Sequence, residues 1–176
     1  PEKDTSERFL FQGAPCSLEE MSAIEDFRLA ELFERKGNYN RALELLINAK
    51  KKLKKFHHFN GQIKVIFKLN DLAVKDKDYD KSIEYLNEAL ELSKSGQVSI
   101  VNIANIHLSL SNSYALGNSA FNSEKHRQIV KTFLRSLPST KQNENLICRM
   151  YLEIARLNLI QKEYDEADEN FKQLLK

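Results

Sequence analysis

The residues best suited to hold a ligand are amides and guanidiniums spaced seven positions apart. Asn105 and Asn112 have that spacing, Asn102 lies three positions before the first, and Arg149 and Arg156 repeat it. Seven residues are close to two helical turns, so each pair falls on one helical face. An asparagine amide both donates and accepts, so a row of them can hold the backbone of an extended peptide without reading its side chains. Guanidiniums beside that row would anchor an anionic group. A hydrophilic helix face that binds nothing has the same pattern, so spacing alone does not decide.

Other candidate chemistry is thinner. Lys50-Lys51-Lys52-Leu53-Lys54-Lys55 is the strongest charge run. It closes a helix, where cations interact favourably with the dipole, and it also suits a nuclear import signal or an acidic partner. His57 and His58 stand together without a third metal ligand, and His107 and His126 read as isolated packing residues. No glycine-rich phosphate loop occurs, and no serine or cysteine has a recognisable base and oxyanion context. The expectation is a protein that is not an enzyme and uses no cofactor or metal, with no small-molecule substrate.

Composition narrows the class. A net charge of +2 argues against nucleic acid as the main partner, and no aromatic residues interleave with the lysine run. Two cysteines in 176 residues do not build a disulfide scaffold, which points to an intracellular setting, cytoplasmic or nuclear. No apolar run approaches a membrane span. Five glycines and three prolines imply long helices and short loops. The chain starts at Pro1, so an excised fragment is expected.

The elements that must position these residues come from a repeat. Gly37-Asn38-Tyr39-Asn40-Arg41-Ala42 is followed by Leu46 and Ala49; Lys77-Asp78-Tyr79-Asp80-Lys81-Ser82 by Leu86 and Ala89; Lys162-Glu163-Tyr164-Asp165-Glu166-Ala167 by Phe171 and Leu174. The first two tyrosines are 40 positions apart and the last two 85, one period and about two. A period of this size marks an α-solenoid built from helix-turn-helix units. Residues 1–17 form an irregular extension whose Phe9-Leu10-Phe11 cluster is expected to dock, either on the solenoid or on a partner. Residues 18–176 form the repeat domain, in units of approximately 18–56, 57–96, 97–138 and 139–176. Helices are expected from Ser17 to Gly37, 40–55, 59–76, 80–95, from 97 to the Leu116–Ala120 break, then 122–137, 141–161 and 164–176.

These motifs resemble the tetratricopeptide repeat family, in its long-repeat form of about 40 residues, over residues 19–176. The family places a tyrosine in the turn, a small residue early in the second helix, a large apolar residue four positions later and a small one three after that. Tyr39, Ala42, Leu46 and Ala49 match all four. Ala30 and Ala155 match the small first-helix position, and Asn70 departs from it. The third repeat is degenerate, with Ala120 in the tyrosine's place and His126 near that of the small residue. The resemblance implies an all-α, right-handed solenoid whose first helices line a groove. The groove residues then count as Phe27, Glu31 and Glu34; Lys64, Phe67 and Asp71; Asn105, Leu108 and Asn112; Arg149, Leu152 and Arg156. Phe27, Glu31 and Asp71 stand where the family's clamp for C-terminal carboxylates needs basic or amide groups, which argues against that ligand.

The function implied is a protein-interaction scaffold or adaptor, part of a larger complex, that binds a peptide or partner protein. Lys64, Phe67, Asn105, Asn112, Arg149 and Arg156 are its candidate contacts. Two alternatives stay open: a peptide-sensing domain of a bacterial transcriptional regulator, and a platform binding an acidic partner through the lysine run. An exposed apolar face on the last helix is expected if the array continues or docks a partner.

Overall fold

A computed structural model describes residues 18–138 and 140–173. Among them are eight helices: α1 Leu18–Arg35, α2 Tyr39–Lys55, α3 Phe59–Lys75, α4 Tyr79–Ser93, α5 Ile100–Leu116, α6 Ala120–Ser136, α7 Lys141–Ile160 and α8 Tyr164–Gln173. No strand occurs among the described residues, and the fold is all-α. Successive helices pair as hairpins. Two compact units result, one ending at Ser99 and the other starting at Ile100. The expected docking of Phe9-Leu10-Phe11, the start at Ser17 and the position of Leu174 lie outside the described residues.

Each hairpin turns in the same way. Gly37, Lys77, Asn118 and Lys162 all have positive φ, between 60° and 75°. One residue later an amide reaches back five positions: Asn38 N to Phe33 O at 2.9 Å, Asp78 N to Ala73 O at 2.9 Å, Ser119 N to Tyr114 O at 2.8 Å, Glu163 N to Asn158 O at 2.9 Å. This left-handed closure satisfies the last carbonyls of the first helix and stops it. The next helix then starts on a fresh cap. Asn38 accepts from Arg41 N at 3.2 Å, and Asp78 accepts from Lys81 N at 3.0 Å. Tyr39, Tyr79 and Tyr164 are therefore the first residues of second helices, not turn residues.

His57-His58 builds the α2–α3 turn by the same means. His57 has φ 53°, and His58 accepts through Nδ1 from Gly61 N at 3.0 Å as an N-cap. The pair is accounted for by turn geometry.

Within each hairpin the helices cross where two small or polar residues stand twelve positions apart. Ala30 and Ala42 occupy these places in the first hairpin, Asn70 and Ser82 in the second, Ser111 and Ser123 in the third, Ala155 and Ala167 in the fourth, all buried. Asn70 is tolerated because Ser82 Oγ donates to its Oδ1 at 2.6 Å. The third hairpin keeps the register through a pair of hydroxyls 2.9 Å apart, Ser111 and Ser123. Ala120 does take the tyrosine's place. The small residue is Ser123, however, and not His126, because the turn shifts no residues relative to the other hairpins.

Candidate interaction face

In the first unit the core gathers Ala23, Phe27, Ala30, Leu46, Val65 and Leu69, among others. Phe27, expected in the groove, is a core residue with 5% exposure. Glu31 and Glu34 of α1 face lysines of α3. Lys68 Nζ lies 3.5 Å from Glu31 and 3.6 Å from Glu34, and Lys75 bonds Glu34 directly. The Lys75 hydrogen bond holds the Glu34 carboxyl below its usual range. Asp71 is exposed and accepts from Asn70 Nδ2 at 3.3 Å. Lys64 and Phe67 are half-buried on α3, and burial pulls the Lys64 ammonium below its usual pKa. The charges on this face largely compensate one another.

The lysine run is divided by the fold. Lys50 pairs with Glu88 at 2.6 Å, and Lys52 pairs with Asp26 at 2.6 Å while donating to Ser22 Oγ at 2.8 Å. These two lysines tie α2 to α4 and α1. Lys51, Lys54 and Lys55 stay exposed. Two of the five lysines of the run therefore serve packing.

In the second unit α5 and α7 share an apolar cluster that includes Ala104, Leu108, Met150, Ile154 and Leu157. Leu108, another expected groove residue, belongs to that cluster and is buried. Asn105 and Asn112 are half-buried on α5. Arg149 and Arg156 are exposed on α7, where Arg156 meets only its helical neighbour Glu153, at 3.2 Å, among the described residues. Leu152 is exposed. The second unit thus carries two amides on α5 and two guanidiniums on α7, and among the described residues no ion pair joins these two first helices as Lys68 and Lys75 join α3 to α1.

Two polar assemblies inside this unit escaped the sequence reading. Arg127 is completely buried at the place that Leu46, Leu86 and Phe171 occupy in the other hairpins. Its guanidinium lies 2.7 Å from Glu163, binds Glu124 and donates to Gln161; Asn158 also donates to Glu163 at 2.8 Å. The signal was available: Arg127 lies seven positions after Ala120, as Leu46 lies seven after Tyr39. The second assembly joins the two histidines expected to be isolated. His107 Nδ1 and His126 Nδ1 are 2.8 Å apart, and Tyr114 stacks on His126 with ring centroids 5.6 Å apart. Burial, then the neighbouring His107, lowers the His126 pKa to about 4, and burial lowers His107.

Among the described residues no cluster of three histidine, cysteine or acidic side chains could hold a metal ion, and no helix is long and apolar enough to cross a membrane. Residues 64–95, covering most of the second hairpin, match the family model of the tetratricopeptide repeat. No curated protein matches the sequence. The other three hairpins reproduce the second one's turn closure and twelve-residue crossing.

Proposed function

We propose that this chain, a tetratricopeptide-repeat protein, is a non-catalytic interaction module that takes a peptide segment of a partner protein on the first-helix faces of its second unit. Repeats of this family mediate protein–protein interactions, and helical repeats offer extended surfaces for them. One observation carries the reading. Asn105, Asn112, Arg149 and Arg156 lie on adjacent first helices that, among the described residues, no ion pair joins, whereas Glu31 and Glu34 of the first unit are already paired with Lys68 and Lys75. Amides in that setting can hold peptide backbone, and arginines can add an anionic anchor. Lys64 and Phe67 provide a cation and a ring on the corresponding face of the first unit.

A scaffold role in an intracellular complex agrees with the composition and with this surface. The lysine-run platform is disfavoured because Lys50 and Lys52 are engaged in ion pairs. The test is selection of linear peptides from a random display library, followed by titration against Asn105→Ala/Asn112→Ala. Affinity should fall about tenfold or more with no change in melting temperature, as for loss of one or two hydrogen bonds to a ligand. Equal affinity of variant and wild type would reject the amide-lined face.

A further inference from the structure

The first unit shows how this chain seats one first helix on the next. Relative to the crossing residue Ala30, α1 presents Phe27 at −3, Glu31 at +1 and Glu34 at +4. Phe27 is buried in a cluster that contains Val65 and Leu69 of α3. Glu31 and Glu34 are met by Lys68 and Lys75, which stand at −2 and +5 from the α3 crossing residue Asn70. The rule is apolar contact at −3, with opposite charges joining +1 and +4 of one helix to −2 and +5 of the next. In the second unit α5 obeys the apolar part, with Leu108 buried at −3 from Ser111, and at +4 it carries buried Ala115 in place of a charge.

Helix α7 has the same face uncovered. From its crossing residue Ala155, Leu152 stands at −3, Arg156 at +1 and Leu159 at +4, with Arg149 at −6. Leu152 is 41% and Leu159 44% exposed, where Leu108 is 9% and Ala115 8%. An exposed apolar face was expected on the last helix, α8; these exposed leucines stand instead on α7, the first helix of the fourth hairpin. Its charge is opposite to that of α1, with arginine in place of Glu31.

We propose that this face of α7 seats an amphipathic helix of a partner protein, whose apolar side chains cover Leu152 and Leu159 and whose carboxylates pair with Arg149 and Arg156. The two arginines are seven residues apart, about 10.5 Å along the axis, so carboxylates seven apart on the incoming helix match them. A second copy of this chain does not fit. Its helix α1 carries exposed apolar Leu18, Met21, Leu29 and Leu32, but Arg28 and Arg35 stand at its −2 and +5 positions. Seating α1 on α7 would bring arginine onto arginine. The inference rests on the interaction-module reading and narrows it to a class of partner.

The test uses two fluorescein-labelled, lactam-stapled helices of about five turns, with leucines on one face and either glutamates or lysines seven apart beside them. The acidic helix should bind, with the basic twin at least about tenfold weaker. Arg149→Glu/Arg156→Glu should reverse that order, and circular dichroism should show the variant folded, since both side chains are exposed. Equal binding of the twins, or an order that the charge reversal leaves unmoved, overturns the proposal. Binding of neither helix overturns it too. In that case display-selected peptides that still depend on Asn105 and Asn112 would leave the broader reading standing, and their absence would remove both. Self-association in sedimentation equilibrium that Leu152→Glu abolishes would also overturn it, in favour of a second copy, and failure of the acidic helix to bind a longer form of this chain while it binds residues 1–176 would overturn it in favour of the chain's own continuation.

Discussion

Replacing Arg127 with alanine should unfold the second unit at a markedly lower denaturant concentration. The guanidinium is fully buried and binds Glu163 at 2.7 Å, along with Glu124 and Gln161. Hydrogen bonds to charged groups contribute roughly 1.5–3 kcal/mol each, and a cavity adds to their loss. The carboxylates of Glu163 and Glu124 are 31% and 40% exposed, so water recovers part of that loss once arginine is gone. A net cost of about 3 kcal/mol follows, which for a unit of this size lowers Tm by roughly 12–24 °C. Arg127→Leu should cost no more than about 1 kcal/mol, because leucine fills this place in two other hairpins and the freed carboxylates reach solvent. The assay is urea unfolding followed by far-ultraviolet circular dichroism, with a double-mutant cycle against Glu163→Ala. Coupling of about 1–2 kcal/mol is expected for a charge pair with one member buried. A cost below about 1 kcal/mol for Arg127→Ala, or no coupling to Glu163, would refute the view that this network joins the third hairpin to the fourth.

Further expectations concern packing, the turns and pH. Ala42→Leu should destabilise by about 1–3 kcal/mol in urea unfolding, since Ala42 is fully buried at the helix crossing. Gly37→Ala should cost about 1 kcal/mol and Lys77→Gly should gain a similar amount, because both backbones have positive φ and a Cβ at Gly37 meets nothing within 4 Å. For His126 the folded-state pKa is about 4 against 6.5 in the unfolded chain, so on acidification the unfolded state takes the proton first. Stability should therefore be complete above about pH 6.5, fall between about 6.5 and 4, and level off below. With the half-buried ring partly screened, the loss should be on the order of 1–2 kcal/mol, and His126→Leu should remove it from a plot of unfolding free energy against pH.

Much of the fold could be read from the chain because its turns are local. Tyr39, Tyr79 and Tyr164 mark helix starts whose capping and closure depend on neighbouring residues. The same locality hid the third turn, where Asn118, Ser119 and Ala120 give the geometry without the tyrosine. Ser111 and Ser123 were overlooked because either is ordinary alone, and only their contact reveals a crossing. Arg127 and the His107–His126 pair were missed for a related reason. Burial of a charge or an imidazole depends on partners 19 to 36 positions away, such as Glu163 and His107. The seven-residue spacing did put Asn105 with Asn112 on α5 and Arg149 with Arg156 on α7, each pair outside the fully buried core. Phe27 and Leu108 were not separated from them, since a groove position and a helix–helix seam differ by the size of the neighbour and not by register.

The most direct test of the interaction account is a hydrogen–deuterium exchange footprint with a display-selected peptide at saturation. The account predicts slowed exchange on α5 and α7, the helices bearing Asn105, Asn112, Arg149 and Arg156, with α6 and the lysine-rich end of α2 unchanged. Protection centred on Lys51, Lys54 and Lys55, with α5 and α7 exchanging as in the free protein, would contradict it.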